Sequence, residues 1–185
     1  VAMREALRFE GKMMAASVSR TADRWFIAFQ VDVPDAQFHR KRTGHGVVGA
    51  DLGIKAAVTL STGESIQAPR PLKRALRRLQ IRERRQSRKI EAAKAAMGIA
   101  GKRVPKGTRI SKSKNFLKSS ATSARLHARI ANVRADFLHK LTTRLCRENQ
   151  AVAIEDLNVS GMLTNEKLAR AISDVGFYEF RRQIT

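Results

Sequence analysis

Cysteine is almost absent: Cys146 is the only one in 185 residues. The chain can therefore form no intrachain disulfide and no cysteine-based zinc site, and Cys146 reads as a small apolar residue on a helix. Long apolar runs are also missing. No segment is long enough to span a bilayer, and no amphipathic face carries enough large apolar residues to lie on one. Arg4 and Glu5 interrupt the position where a secretion signal would need an apolar stretch, so a cytosolic protein is expected. Acidic residues are the third scarcity. Against 37 Lys and Arg stand 16 Asp and Glu, a formal net charge of +21. Such an excess repels itself in a compact state and attracts polyanions. Nucleic acid is the partner this balance favours, ahead of an acidic membrane surface.

What is present fits a folded chain: 43% of residues are hydrophobic and 29% charged. Its length suits one domain, or one with a small neighbour. The first half alternates. Residues 12–19 and then Trp25, Ile27, Phe29, Val31 and Val33 mark the two strands of a hairpin with one core face. A two-stranded hairpin is marginal alone, so it should belong to a larger β-domain. Pro34 ends it, and the basic, glycine-containing segment from Asp35 to Gly46 reads as a linker, with His39 and His45 as plain loop residues.

The stretch around which the rest is organised follows: Val47-Val48-Gly49-Ala50-Asp51-Leu52-Gly53-Ile54-Lys55. It reads as a buried strand carrying one carboxylate between two glycines. An acid in such a run costs free energy unless its charge is stabilised. The glycines let a ligand or a second backbone come close. Two further short strands, at Ala57–Leu60 and from Ser65, complete an antiparallel meander around the turn Ser61-Thr62-Gly63-Glu64.

Pro71 sits at a helix start. Leu72, Leu76, Leu79, Ile90, Ala93 and Met97 then recur at helical steps, the narrow seam of a helical hairpin or coiled coil. A loop spans Gly98 to Lys114. The next helix carries Leu126, Ile130, Val133, Phe137, Leu141 and Leu145, with Asn149 placed to end it. The opposite faces are basic: 17 Lys and Arg against two Glu lie between Arg70 and Lys114. Arg74, Arg77, Arg78, Arg82, Arg85, Arg88 and Lys89 line the first helix, and Arg125, Arg129 and Arg134 the second. A mixed-sign run would be only a solvated face. This one has almost no acids to balance it, and arginine favours bidentate phosphate contacts.

A second apolar run ending in an acid follows, Gln150-Ala151-Val152-Ala153-Ile154-Glu155-Asp156. A strand directly after a long helix suggests parallel pairing with an earlier strand. Three antiparallel strands, helices, then a parallel strand is the element order of the ribonuclease H-like fold, an α/β (α+β) class. That order would set Asp51 and Glu155 side by side. Two close carboxylates repel, and a divalent cation resolves the repulsion; Mg²⁺ accepts one or two carboxylates plus water and phosphate oxygens. Asp156 should face the other way, as a cap or loop acid. In the tail, Leu168, Ile172, Tyr178 and Phe180 run at helical steps. There Ser173-Asp174 reads as a helix N-cap and Gly176 as a break between two helical pieces.

At these residues the chain resembles the transposon-encoded TnpB (OrfB) proteins, relatives of the type V CRISPR effectors. The resemblance is carried by Val48-Gly49-Ala50-Asp51-Leu52-Gly53-Ile54-Lys55, Ser113-Lys114-Asn115, Arg125-Leu126-His127-Ala128-Arg129-Ile130-Ala131-Asn132 and Asp136-Phe137-Leu138-His139-Lys140-Leu141. It continues through Ile154-Glu155-Asp156-Leu157-Asn158-Val159-Ser160-Gly161-Met162 and Lys167-Leu168-Ala169-Arg170-Ala171-Ile172-Ser173-Asp174. It implies a RuvC-type nuclease domain over residues 43–185 with an inserted basic helical hairpin. Residues 1–42 would be the end of a wedge-like β-domain with its linker. The implied activity is transposon-associated, RNA-guided cutting of DNA by two-metal phosphodiester hydrolysis with Mg²⁺ or Mn²⁺, in partnership with guide RNA and target DNA. Asp51 and Glu155 match the first two catalytic and metal-binding carboxylates. Lys55, Arg74, Arg77, Arg78, Arg82, Arg85, Arg125 and Arg129 are the candidate nucleic-acid contacts. The family's cysteine-rich zinc ribbon and third catalytic Asp have no counterpart in these residues, and most of its N-terminal recognition part is missing. A fragment unable to cut unaided is therefore expected. The alternative is an inactive nucleic-acid-binding or repressor-like derivative.

Overall fold

The computed structural model describes residues 5–7, 10–33, 44, 46–99 and 103–185. The expectations for Pro34, His39, His45 and most of the linker fall outside them. Two strands, β1 (Lys12–Thr21) and β2 (Arg24–Asp32), pair antiparallel through the turn at Ala22 and Asp23. The hairpin is thus present, but its expected core face is not buried: Trp25 is 67% and Ile27 36% exposed, and only Phe29, Val31 and Val33 are half-buried. Alternation predicts which side chains share a face. It cannot supply the layer that covers them.

A four-stranded mixed sheet forms the centre. Its strands β3 (Val47–Leu52), β4 (Val58–Leu60), β5 (Ser65–Ile66) and β6 (Ala151–Ile154) lie in the order β5-β4-β3-β6. The first three make the antiparallel meander, and β6 runs parallel to β3 with Val47 opposite Ala151 and Ala50 opposite Ile154. Parallel neighbours need a long crossover. Here it consists of α1 (Pro71–Ala96) and α2 (Lys114–Glu148), two antiparallel helices joined by the loop between them. Ser113 caps α2 by accepting from the Phe116 N–H, and Asn149 ends it as expected.

The tail forms α3 (Val159–Leu163), α4 (Ala169–Val175) and α5 (Phe177–Ile184). Asn158 caps α3 through the Gly161 N–H, a short helix that the apolar periodicity does not announce. Gly176 separates α4 from α5 at φ 86°, a left-handed conformation that glycine adopts without steric cost. A Cβ there would also lie 3.0 Å from Arg134 Cδ and 3.1 Å from Leu138 Cδ1. Gly176→Ala is expected to destabilise the fold by more than about 1 kcal/mol; a urea titration showing no loss would contradict this.

One face of the sheet is covered. Val48, Ala50, Val58 and Leu60 pack with Leu138, Leu141 and Leu145 of α2, Ile172 and Val175 of α4, and Phe177 and Phe180 of α5. A smaller cluster, Ala75, Leu79 and Ile130 with Leu72 and Leu126, joins the base of α1 to α2. Beyond Leu79 the seam turns polar. Arg82 donates to the Thr122 carbonyl, and Lys89 donates to the Asn115 carbonyl at 2.9 Å. Surface ion pairs fasten the periphery: Arg144 to Glu64 at 2.9 Å, Arg181 to Asp156, and Arg182 to Glu179. Hydrogen bonds from the Arg182 guanidinium and the Gln183 amide hold the Glu179 carboxyl down at about 2.

Candidate functional site

Along β3, Val48 and Ala50 are buried while Val47 and Asp51 are exposed. Alternation therefore turns Asp51 away from the core, onto the sheet's other face. Asp51 pairs with Thr59 of β4. On its other side the parallel register ends at Ala50–Ile154, so Asp51, still in β3, and Glu155, just past the end of β6, each follow the last paired residue. Strands pair about 4.8 Å apart, and both acids are exposed. The parallel register thus brings Asp51 and Glu155 to the same end of the sheet.

Neither carboxylate forms a side-chain hydrogen bond or ion pair with another described residue, whereas the adjacent Asp156 is engaged by Arg181 of α5. A free pair of this kind fits a hard divalent cation that completes its shell with water and phosphate oxygens. No group of three or more His, Cys, Asp or Glu that could hold a metal occurs among the described residues. The flanking glycines serve the chain itself. Gly49 exchanges hydrogen bonds with Ser61 (N–H to Oγ at 3.0 Å, carbonyl to the Ser61 N–H at 2.8 Å), and a Cβ on Gly53 would sit 3.0 Å from the Ala56 carbonyl. Of the two expectations for these glycines, close approach of a second backbone is the one observed.

The basic residues divide by what they touch. Arg74, Arg77, Arg78, Arg85 and Arg88 are exposed on α1. Four of them, Arg74, Arg78, Arg85 and Arg88, follow one another at steps of four, seven and three, which keeps them on one side of the helix; Arg77 flanks the row. Arg82, expected with them, lies nearer the seam and donates to α2. Arg134 is likewise engaged inside the fold, donating from Nε to the Asp174 carbonyl at 3.2 Å. On α2, Arg125 and Arg129 are exposed, as is Lys118 on the same side.

The contacts of Arg82 with Thr122 and of Lys89 with Asn115 fix the register of the hairpin. They place Arg74 level with Arg129, Arg78 with Arg125 and Arg85 with Lys118 to within a residue. Both contacts also lie on the flank of each helix that carries its arginines. The two cationic rows therefore border the same face of the hairpin, about one helix-packing distance of 8–10 Å apart. Arg125 reaches Asp23 in the β1–β2 turn at 2.9 Å, with both side chains about half exposed. Such a pair contributes about 0–1 kcal/mol, so a phosphate can replace Asp23. Lys55 is exposed four residues after Asp51, where the base of the hairpin meets the acid end of the sheet.

Sequence reasoning missed two residues. Arg70 was only one of many positive charges, yet it donates to the carbonyls of Ile54 and Lys55, both at 2.6 Å. Asp174, read as the N-cap of a tail helix, instead accepts from the Leu72 and Lys73 N–H groups at 2.9 Å each and so caps α1. The only local hint was that α1 lacks a side-chain cap of its own at Arg70.

No described helix is long and apolar enough to cross a membrane. A family model described as "Probable transposase", the OrfB family of IS605 type, matches residues 27–166. The chain is 43% identical over 169 residues to a "Putative RNA-guided DNA endonuclease" of Streptomyces pristinaespiralis, covering 91% of this chain and 36% of that protein. It is 27% identical over 197 residues to the similarly described InsQ of Escherichia coli strain K12, covering 98% and 43%. With Rv2885c of Mycobacterium tuberculosis it shares 30% over 185 residues, covering 94% and 36%. The chain spans 36–43% of the length of these relatives. The family model covers well over half of the chain, and on that ground this protein belongs to the OrfB family of IS605-type transposases.

Proposed function

We propose that residues 43–185 form the RuvC-type, ribonuclease H-like part of a transposon-associated, RNA-guided DNA endonuclease, preceded by the end of a wedge-like β-domain in residues 1–42. The observation that supports this most is the parallel β3–β6 pairing, whose register ends at Ala50–Ile154, one residue before Asp51 and Glu155. The strand order β5-β4-β3-β6 and the basic crossover hairpin agree with it. Asp51 and Glu155 would hold Mg²⁺ or Mn²⁺ through their carboxylates, and the chemistry such an ion would supply there is activation of a water and stabilisation of the leaving oxygen of a phosphodiester. Arg74, Arg77, Arg78, Arg85, Arg125 and Arg129 hold the backbone of guide RNA or target DNA, and Lys55 meets it where the hairpin joins the sheet. The names borne by the relatives support guide RNA and DNA as the partners.

The test is a Mn²⁺ titration of the 185-residue chain followed by electron paramagnetic resonance. Asp51→Asn and Glu155→Gln are each expected to weaken Mn²⁺ binding about tenfold or more, the loss of about 1.4 kcal/mol at the site. Unchanged affinity in both variants would overturn the acid-pair assignment. A second reading, a nucleic-acid-binding derivative without chemistry, is favoured by one observation: two carboxylates, not three, meet at this site among the described residues. Mg²⁺-dependent cutting of DNA by this chain alone would exclude it.

A further inference from the structure

The start of α1 is built unlike an ordinary helix N-terminus. Its cap residue, Arg70, is in the left-handed conformation at φ 46°, ψ 57°, and offers no side-chain cap. For a non-glycine residue this conformation costs about 1–2 kcal/mol. What offsets it is tertiary. The Arg70 guanidinium turns back to the sheet and donates to the carbonyls of Ile54 and Lys55, in the loop that directly follows Asp51-Leu52-Gly53. The N–H groups that Arg70 leaves uncapped, on Leu72 and Lys73, are bound by the two carboxylate oxygens of Asp174 from α4. Asp174 is 4% exposed; the helix dipole and the Arg134 guanidinium, 3.7 Å away, balance its charge. One turn of helix is thus pinned to the Asp51 loop, to α4 and to α2.

We propose that Arg70, braced by Asp174, is a positioning residue that sets the angle of the arginine face of the hairpin relative to the Asp51–Glu155 pair. The proposal takes its functional meaning from the nuclease reading above. Leverage is the physical reason. Arg88 lies 18 residues beyond Arg70, about 27 Å at the helical rise of 1.5 Å per residue, so a tilt of about 10° at the base moves it by about 5 Å. A misplacement of about 1 Å at a reacting group can already cost about 100-fold in rate. The apolar cluster at the hairpin base is small, Ala75, Leu79 and Ile130 with two half-buried leucines, so the polar contacts at the start of α1 carry weight in setting that angle. Arginine suits the task because one planar guanidinium satisfies two carbonyls at once, which a lysine ammonium on a flexible stem does less rigidly.

The test is a distance measurement by double electron–electron resonance in the 185-residue chain. Spin labels are placed at Thr62→Cys, in the exposed β4–β5 turn, and Glu83→Cys, on the exposed side of α1, in a Cys146→Ser background. The parent should give one narrow distribution. Arg70→Gln should at least double its width while helical circular dichroism is unchanged, Asp174→Asn should widen it too, and Arg70→Lys should fall between. A width equal to the parent's in folded Arg70→Gln overturns the proposal, even where its melting temperature is lower, because a role confined to stability does not widen the distribution. Should Arg70→Gln not fold, Arg70→Lys decides in the same way: broadening supports the proposal and the parent's width overturns it. The measurement needs no nucleic acid or metal, so its outcome is independent of whether the nuclease reading holds.

Discussion

On the nuclease reading proposed above, replacing either Asp51 or Glu155 with alanine is expected to lower Mg²⁺-dependent DNA cleavage about 1,000-fold or more in a version of the protein that cuts. A metal held by this pair would supply several kcal/mol of charge stabilisation, and each 1.36 kcal/mol of barrier is a factor of ten. The affinity for RNA should stay within about twofold, because neither carboxylate lies on the hairpin that carries the arginine rows. The matched control is Asp156→Ala. Asp156 follows Glu155 directly, but its carboxylate is engaged by Arg181 of α5, so losing it removes an exposed ion pair and should leave cleavage within a few-fold. Gel assays of the three variants decide the matter. Retained cutting in Asp51→Ala or Glu155→Ala sinks the site, and equal losses in all three would mean that this sheet end is merely structural.

The second large effect belongs to the arginine row. Removing Arg74, Arg78, Arg85 and Arg88 together is expected to weaken binding to duplex nucleic acid about 100-fold or more near 100 mM salt. It should also flatten the log–log salt dependence by about 3.6, at about 0.9 for each phosphate left unneutralised. Fluorescence anisotropy from 50 to 300 mM salt reads both quantities. A comparison variant, Arg144→Ala with Arg147→Ala, removes cations that sit among acids: Arg144 pairs with Glu64 and approaches Glu148 at 4.0 Å. That double change should leave the slope as it is in the parent. If the quadruple variant keeps the parent's slope, the row does not touch phosphate. Arg82→Ala is not a clean probe, since Arg82 holds the two helices together at Thr122.

Much of this was legible because it depends on local chemistry. Period-two alternation and the turn residues located the meander, Pro71 marked where the first long helix begins and Asn149 where the second ends, and the run of basic residues without acids marked the face expected to attract a polyanion. The two strand-end acids could be paired from element order, because a strand following a long helix suggests parallel pairing with an earlier one, and β3 was the one with a matching acid. The hairpin β1–β2 shows the limit. Trp25 and Ile27 follow a core pattern yet lie exposed, since a pattern states what a strand could bury and not whether a covering layer is there.

The sequence by itself determined the strands and the two long helices, the excess of positive charge, and the identity and chemical type of the two acids, all of which follow from side-chain chemistry read along the chain. Only the tertiary structure decided which charges are free to act. It put Arg78 and Arg85 on an open face while Arg82, of the same type, lies three or four residues away at the seam. It also turned Asp174 from a local cap into the tertiary cap of α1, a hundred residues earlier in the chain, and gave Arg70 two carbonyls beside the Asp51 loop. The physical reason is common to these cases. A charged side chain acts according to the partner within about 3 Å of it, and partners far apart in sequence are brought to that distance only by the fold.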